Sequence, residues 1–202
     1  SDVLFFAGVP EVLWIGMPRV RESPAQTYQI EAAPRRRLRY GAISYLGEYR
    51  PSPAPPDGYL ELPALDRRIT ALAREVTSGQ PSDEARARAL ESYLARTFGY
   101  TTDLPREDVP DPLAHFLFER RAGHCEYFAS AMAVMLRSIG IPSRLVTGFV
   151  GGQLNPVTGW RLVRASDAHA WVEAWIGGRG WTVFDPTPAG HARREAPLLA
   201  RF

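Results

Sequence analysis

Cys125 is the only cysteine in this sequence and therefore its only possible thiol nucleophile. A single cysteine excludes an internal disulfide, a CxxC redox pair and a Cys-rich zinc site. Most lone cysteines are small buried hydrophobes. Cys125 differs in where it stands: Gly123 breaks the chain just before it, and an apolar helical pattern runs from Cys125 to Ile139. A thiol in the first turn of a helix meets unpaired amides and the positive end of the dipole, which favour the thiolate and are expected to lower its pKa. A structural cysteine would more naturally sit mid-helix on the apolar stripe.

Four histidines could serve such a thiol as base. His124 adjoins Cys125, and neighbours on a helix point apart. His115 lies beside Phe116 and reads as a core or boundary residue, and His191 falls in a polar tail. His169 begins a strand pattern, Ala168–Ile176, on the face shared by Trp171, Glu173 and Trp175. A histidine on a sheet that faces a Cys-led helix is the arrangement that nucleophilic catalysis requires. The base needs an orienting group to fix its tautomer. Asp185, at the end of the next strand pattern, is the candidate; Asp167 reads more simply as a turn residue.

This choice carries a geometric condition. A two-residue hairpin at Gly178-Arg179 would pair Asp185 with Val172 and put His169 and Asp185 on opposite faces. A three-residue connection, Gly177-Gly178-Arg179, pairs Asp185 with Trp171 and makes His169 its diagonal same-face neighbour, about 7–8 Å away between Cα atoms. The pairing of base and carboxylate thus predicts an odd-length turn or a bulge.

The elements that must position these residues follow from periodicity. Residues 1–49 read as strand-rich, with strands expected at Thr27–Ala32 and Leu38–Leu46 on either side of Pro34 and Arg35-Arg36-Arg37. Pro51–Pro56 reads as a linker. Helices are expected over Ala64–Thr77, from a Ser82 cap to about Thr97, and over Asp111–Arg121. The Cys125–Ile139 helix is stopped by Gly140 and Pro142, and its alanines, Ala129, Ala131 and Ala133, keep it slim enough to be central. The period then changes to two over Ser143–Val150, Trp160–Arg164, Ala168–Ile176 and Trp181–Asp185, which predicts an antiparallel meander. Helices followed by strands argue an α+β fold with the central helix packed on the sheet. The expected organisation is a β-rich extension with its linker over 1–56, a catalytic domain over 57–190 and a tail over 191–202.

Composition narrows the function. All 24 basic residues are Arg and sit among 22 acidic ones. The Arg35–Arg37 run reads as a solvated loop or strand edge, without the basic helix or aromatic stripe that nucleic-acid binding would need. No run of about 18 apolar residues could span a membrane. The chain opens on Ser-Asp without an initiator Met or an apolar signal segment, and so reads as a mature or excised portion of something longer.

Three motifs together resemble those of the bacterial transglutaminase-like family. They are Arg121–Ala129 with its continuation Leu136–Arg144, then Asp167–Glu173, then Trp181–Pro188, with Cys, His and Asp in order and 44 and 16 residues apart. The resemblance covers roughly Leu60–Pro188. It implies a papain-like fold and a Cys125–His169–Asp185 triad. Upstream, Leu4-Phe5-Phe6 and the proline-rich linker resemble the extracytoplasmic region of membrane-anchored bacterial members, which implies a periplasmic or cell-surface setting.

The chemistry implied is acyl transfer: Cys125 attacks a glutamine carboxamide, ammonia leaves, and a primary amine resolves the thioester. The partners would be a protein or peptide bearing glutamine and an amine acceptor, with no cofactor or metal. The Cys125 amide is a natural first oxyanion donor, and Tyr100 is a candidate second. The chain offers Gln26, Gln29, Gln80 and Gln153 but no lysine, so it cannot cross-link itself through an ε-amine. The same triad with water as acceptor would make a cysteine peptidase or amidase, possibly acting on cell-wall peptides. A third reading is a transglutaminase-like fold used only for binding, which usually goes with loss of the Cys or His.

Overall fold

A computed structural model of the chain describes residues 3–6, 9–16, 19–23, 27–30, 38–45, 58–103 and 109–189. The chain divides into two units, Ser1–Tyr49 and Arg50–Phe202. The first contains β1 (Val3–Leu4), β2 (Val9–Ile15), β3 (Val20–Glu22), β4 (Tyr28–Ile30) and β5 (Tyr40–Tyr45). β4 pairs antiparallel with both β1 and β3, and β2 pairs with β5 across a bulge between Pro10 and Val12. Leu4 and Ile30 are buried, and Phe6 meets Tyr28 and Tyr40 edge-on at 5.2 and 5.7 Å. β4 and β5 stand where strands were expected. Pro34, the Arg35–Arg37 run, the Pro51–Pro56 stretch and residues 191–202 lie outside the described residues.

The second unit opens with α1 (Arg67–Val76) and α2 (Asp83–Thr97). Asp66 caps α1 through the Arg68 amide, and the Ser82 hydroxyl caps α2 through the Ala85 amide. After the short strand β6 (Gly99–Tyr100) comes α3 (Pro112–Ala114), capped by Asp111. The expected continuous helix over 111–121 changes hand-hold at that point. His115–Arg120 winds as a π-helical turn and ends on Arg121, whose φ of 55° is left-handed. Then β7 (Ala122–Gly123) runs parallel to β6 and leads into α4 (Cys125–Ser138).

α4 is the centre of the unit. Phe128, Ala129, Ala131, Met132, Met135 and Leu136 are fully buried. Burying each of the four large ones contributes about 1.5–3 kcal/mol, far more than helix propensity, which spans about 0.7 kcal/mol per residue among ordinary residues. Gly140, at φ 86°, supplies the left-handed residue that ends the helix, as its position after the run predicted.

The sheet on which α4 rests has the order β12 (Gly180–Phe184), β11 (Ala168–Ile176), β8 (Ser143–Phe149), all antiparallel. Burial alternates along β11: Ala170, Val172, Ala174 and Ile176 are buried in the core cluster with α4, while His169, Trp171, Glu173 and Trp175 share the other face. On that second face Arg144 pairs with Glu173 at 2.6 Å and lies 4.5 Å over the Trp181 ring, which Tyr59 meets edge-on at 4.8 Å. The Ser143 hydroxyl donates to the Ala133 carbonyl at 2.8 Å, and the Arg137 guanidinium donates to the carbonyls of Ser143 and Glu61. These bonds pin the end of α4 to the start of β8.

One expected strand does not join this sheet. The Trp160–Arg164 segment contributes β10 (Arg161–Leu162), which pairs with β9 (Gln153–Leu154) as a separate hairpin. β8 instead pairs directly with β11, so the meander is interrupted. Alternation over a few residues marks a strand but not its partner.

Candidate active site

Each of the three sequence-selected residues is placed by a local device. Cys125 opens α4 because His124 caps it, its Nδ1 accepting from the Glu126 amide at 3.4 Å. Gly123 is required by close approach: a Cβ there would meet the Tyr127 Cβ at 2.9 Å. His124 is thus a cap rather than a base, which its neighbour position left open. His115 stands 3.8 Å from Glu119 one turn along its own helix, and His191 lies outside the described residues.

The β11–β12 turn has the odd length that the pairing required. Ile176 pairs with Gly180 and Val172 with Phe184, so Gly177, Gly178 and Arg179 form the connection, with Gly178 left-handed at φ 78°. One step further in this register Trp171 stands opposite Asp185. His169 is the diagonal neighbour on the same face, and its Nε2 lies 2.7 Å from Asp185 Oδ2. Asp167 is a turn residue, its carboxylate accepting from the Arg164 amide at 2.7 Å.

Two neighbours hold the imidazole. Its ring stacks on Trp171, centroids 6.4 Å apart. Across the ladder from His169 is Gly148, where a Cβ would come within 2.7 Å of the Trp171 indole. Glycine at 148 therefore makes room for the indole beneath the histidine.

Asp185 is fixed at three points. Burial raises its pKa, but the hydrogen bonds with His169 and with the Thr187 amide outweigh it and hold the carboxyl below its usual range. The Thr187 amide donates to Oδ1 at 3.0 Å. The Asp185 amide donates to Glu91 Oε1 of α2 at 2.8 Å, and Glu91 in turn pairs with Arg88, which lies 4.4 Å over the Phe184 ring. Sequence reasoning missed Glu91, because nothing in an exposed-looking helical Glu reveals a contact 94 residues away. An ionised carboxylate can only accept, so Nε2 of His169 carries the proton and Nδ1 holds the lone pair.

The thiol is half-buried, and burial pushes its pKa up. The amides of Ala170, Glu126 and Cys125 itself oppose this, while the Glu126 carboxylate adds to the rise. The expected lowering is therefore not met: desolvation at this site exceeds what the helix start provides. The Ala170 amide is adjacent to His169 in the chain. The structure brings His169 to Asp185 and Cys125 to the strand that carries His169, with no hydrogen bond between thiol and imidazole.

Tyr100 pairs with Gly123 in the parallel β6–β7 ladder, and the Gly123 carbonyl accepts from the Thr101 amide at 2.9 Å. Partial burial and then the nearby Cys125 thiolate raise the Tyr100 pKa. Among the described residues no cluster of three or more His, Cys, Asp or Glu is placed to hold a metal ion.

The family model for the transglutaminase-like superfamily matches residues 70–186, more than half of the chain. The chain belongs to the transglutaminase-like superfamily. All three sequence-selected residues fall within the matched span. A protein-glutamine gamma-glutamyltransferase of Pseudomonas aeruginosa is 42% identical over 121 residues, 59% of this chain and 18% of the relative. The uncharacterized protein YebA of Bacillus subtilis is 37% identical over 140 residues, 65% of this chain and 19% of the relative. The chain thus spans under a fifth of the length of these two curated relatives. Among solved structures, the periplasmic domain of TgpA from Pseudomonas aeruginosa matches with a TM-score of 0.73 and 32% identity, over 91% of this chain and 67% of that one. The fold is therefore transglutaminase-like, mixed α and β with antiparallel sheets, and matches that periplasmic domain. No helix among the described residues is long and apolar enough to cross a membrane.

Proposed function

We propose that this transglutaminase-like chain is a cysteine acyltransferase that takes the γ-glutamyl group of a glutamine side chain and passes it to a primary amine. The observation that carries the reading is the 2.7 Å contact of His169 with Asp185 on the strand whose next amide faces the Cys125 thiol. The resting thiol is protonated. His169 Nδ1 takes that proton as sulfur attacks the carboxamide carbon, and the same proton goes to the departing ammonia, leaving a thioester. An amine then attacks, His169 takes its proton, and the C–S bond breaks to restore the thiol. The Cys125 amide and the Tyr100 hydroxyl are the proposed oxyanion donors. Asp185 keeps His169 in the Nε2–H tautomer and stabilises the imidazolium.

The substrate pair is a glutamine-bearing protein or peptide and an amine, and the setting is extracytoplasmic. The activity named for the Pseudomonas aeruginosa relative and the periplasmic origin of the TgpA domain support these two assignments.

The test compares wild type with Cys125→Ala for incorporation of a labelled primary amine into a glutamine-bearing protein, and for ammonia release without amine. Incorporation by wild type alone is the expected result. Thiol-dependent ammonia release that no amine can intercept would make the protein a hydrolase instead. Equal signal from both proteins would end the proposal.

A further inference from the structure

Antiparallel neighbours such as β8 and β11 need only a tight turn between them. Here the chain makes an excursion from Val150 to Asp167, closed at its base by the Val150 amide donating to the Asp167 carbonyl at 3.0 Å. The excursion leaves the ladder one residue after Gly148, the partner of His169, and returns one residue before His169 itself.

The β9–β10 hairpin within this excursion is well built. Asn155 Oδ1 accepts from the amides of Val157 and Thr158 at 2.9 and 3.2 Å, and the Asn155 amide donates to the Trp160 carbonyl at 2.7 Å. The Arg161 guanidinium donates to the carbonyls of Gly151 and Gly152. Yet Trp160 is 77% exposed, Val157 91%, Leu162 53% and Leu154 50%. A hydrogen-bonded turn that presents a tryptophan left 77% exposed among the described residues has the properties of a binding hot spot: large apolar area and less entropy to lose than a loose loop. Its charge is one-sided as well. From Val150 to Ser166 there are two arginines, Arg161 and Arg164, and no carboxylate; that of Asp167, which closes the excursion, accepts from the Arg164 amide.

We infer that this hairpin is the docking arm for the acyl-donor polypeptide, engaging an extended segment with aliphatic or aromatic side chains and carboxylates beside the reacting glutamine. The inference rests on the acyltransferase reading above. It commits to the donor because the arm is continuous with the strand end bearing His169 and because an arginine-only apolar surface is complementary to acidic, apolar peptide.

The test measures kcat and KM for a blocked glutamine dipeptide and for two longer glutamine peptides, one flanked by Glu and Leu, the other by Arg and Leu. Wild type is compared with Trp160→Ala and Val157→Ser, each checked by thermal melting. The expected result is that wild type prefers the acidic peptide, and that the preference shrinks as NaCl screens the arginines. In Trp160→Ala the kcat/KM for the acidic peptide, divided by that for the dipeptide, falls at least about tenfold, through KM. An unchanged ratio overturns the inference. So does an unchanged ratio accompanied by lost binding to phosphatidylglycerol vesicles, or by lost self-association in sedimentation, which would assign the arm to a membrane or to a second copy. If wild type turns over none of the three donors, the acyltransferase reading fails separately. Titration of Cys125→Ala protein with the acidic peptide, with and without Trp160→Ala, then decides the docking question: equal affinities sink it.

Discussion

At Cys125 two effects of known sign oppose each other. Helix-start amides favour the thiolate, and burial favours the thiol; burial prevails, with the Glu126 carboxylate on its side. The thiol therefore holds its proton to higher pH than an unperturbed thiol, and reactive thiolate appears only as pH rises through that raised value. Alkylation by iodoacetamide, followed by mass, should climb with pH and reach half its maximum above about 8.5. A rate already flat from acidic pH would mean a standing thiolate–imidazolium pair and a different resting state. Asp185 titrates the other way: its carboxyl is held low, so the contact with His169 is present through neutral pH and is lost only as pH falls through the lowered value. Asp185→Asn should leave the melting temperature nearly unchanged, since the side chain is 46% exposed. It should lower kcat by about 10²–10⁴-fold with little change in KM, because the imidazole loses its tautomer and orientation rather than the substrate its binding. A loss confined to KM would show that Asp185 binds rather than orients.

Among the elements, the β11–β12 turn decides whether that carboxylate faces the histidine at all. Three residues, Gly177 to Arg179, put Trp171 opposite Asp185. Inserting one alanine between Phe184 and Asp185 keeps the turn and the buried Phe184 in register but puts Asp185 opposite Ala170, which turns the carboxylate to the α4 face. The insertion should abolish amine incorporation while far-UV circular dichroism still reports a folded α+β protein. Retained activity would sink the role of Asp185. Gly148 offers a milder perturbation at the same strand end. A Cβ there meets the Trp171 indole at 2.7 Å, so Gly148→Ala should destabilise the protein by about 1–3 kcal/mol in urea unfolding and reduce activity by tilting the ring on which His169 stacks.

For the whole molecule, the core cluster runs from Ile69 to Phe184 and includes residues of α1, α2, α4, β11 and β12. All of it lies within the second unit, Arg50–Phe202. A chain of residues 50–202 should therefore melt in one cooperative transition and keep activity toward a blocked glutamine dipeptide. A non-cooperative melt would show that the β-rich first unit completes the core. The domain is large enough to bury such a core alone.

What was legible in the sequence was whatever depends on local spacing. The cap at Ser82, the stop at Gly140, the helix opening at Cys125 and the strand carrying His169 on a face with Trp171 each follow from a few adjacent residues. The odd length of the Gly177–Arg179 turn follows from parity alone, once His169 and Asp185 are required to meet. Only the tertiary structure decided the rest. The sequence places a thiol at a helix start but cannot say how much water the fold removes from it, so the sign of its pKa shift was misjudged. It marks Trp160–Arg164 as extended but not its partner, since alternation is equally satisfied by a sheet interior and by a free hairpin. Nor does it reveal that Glu91 holds the Asp185 amide, because that bond exists only after α2 has packed across the end of β12.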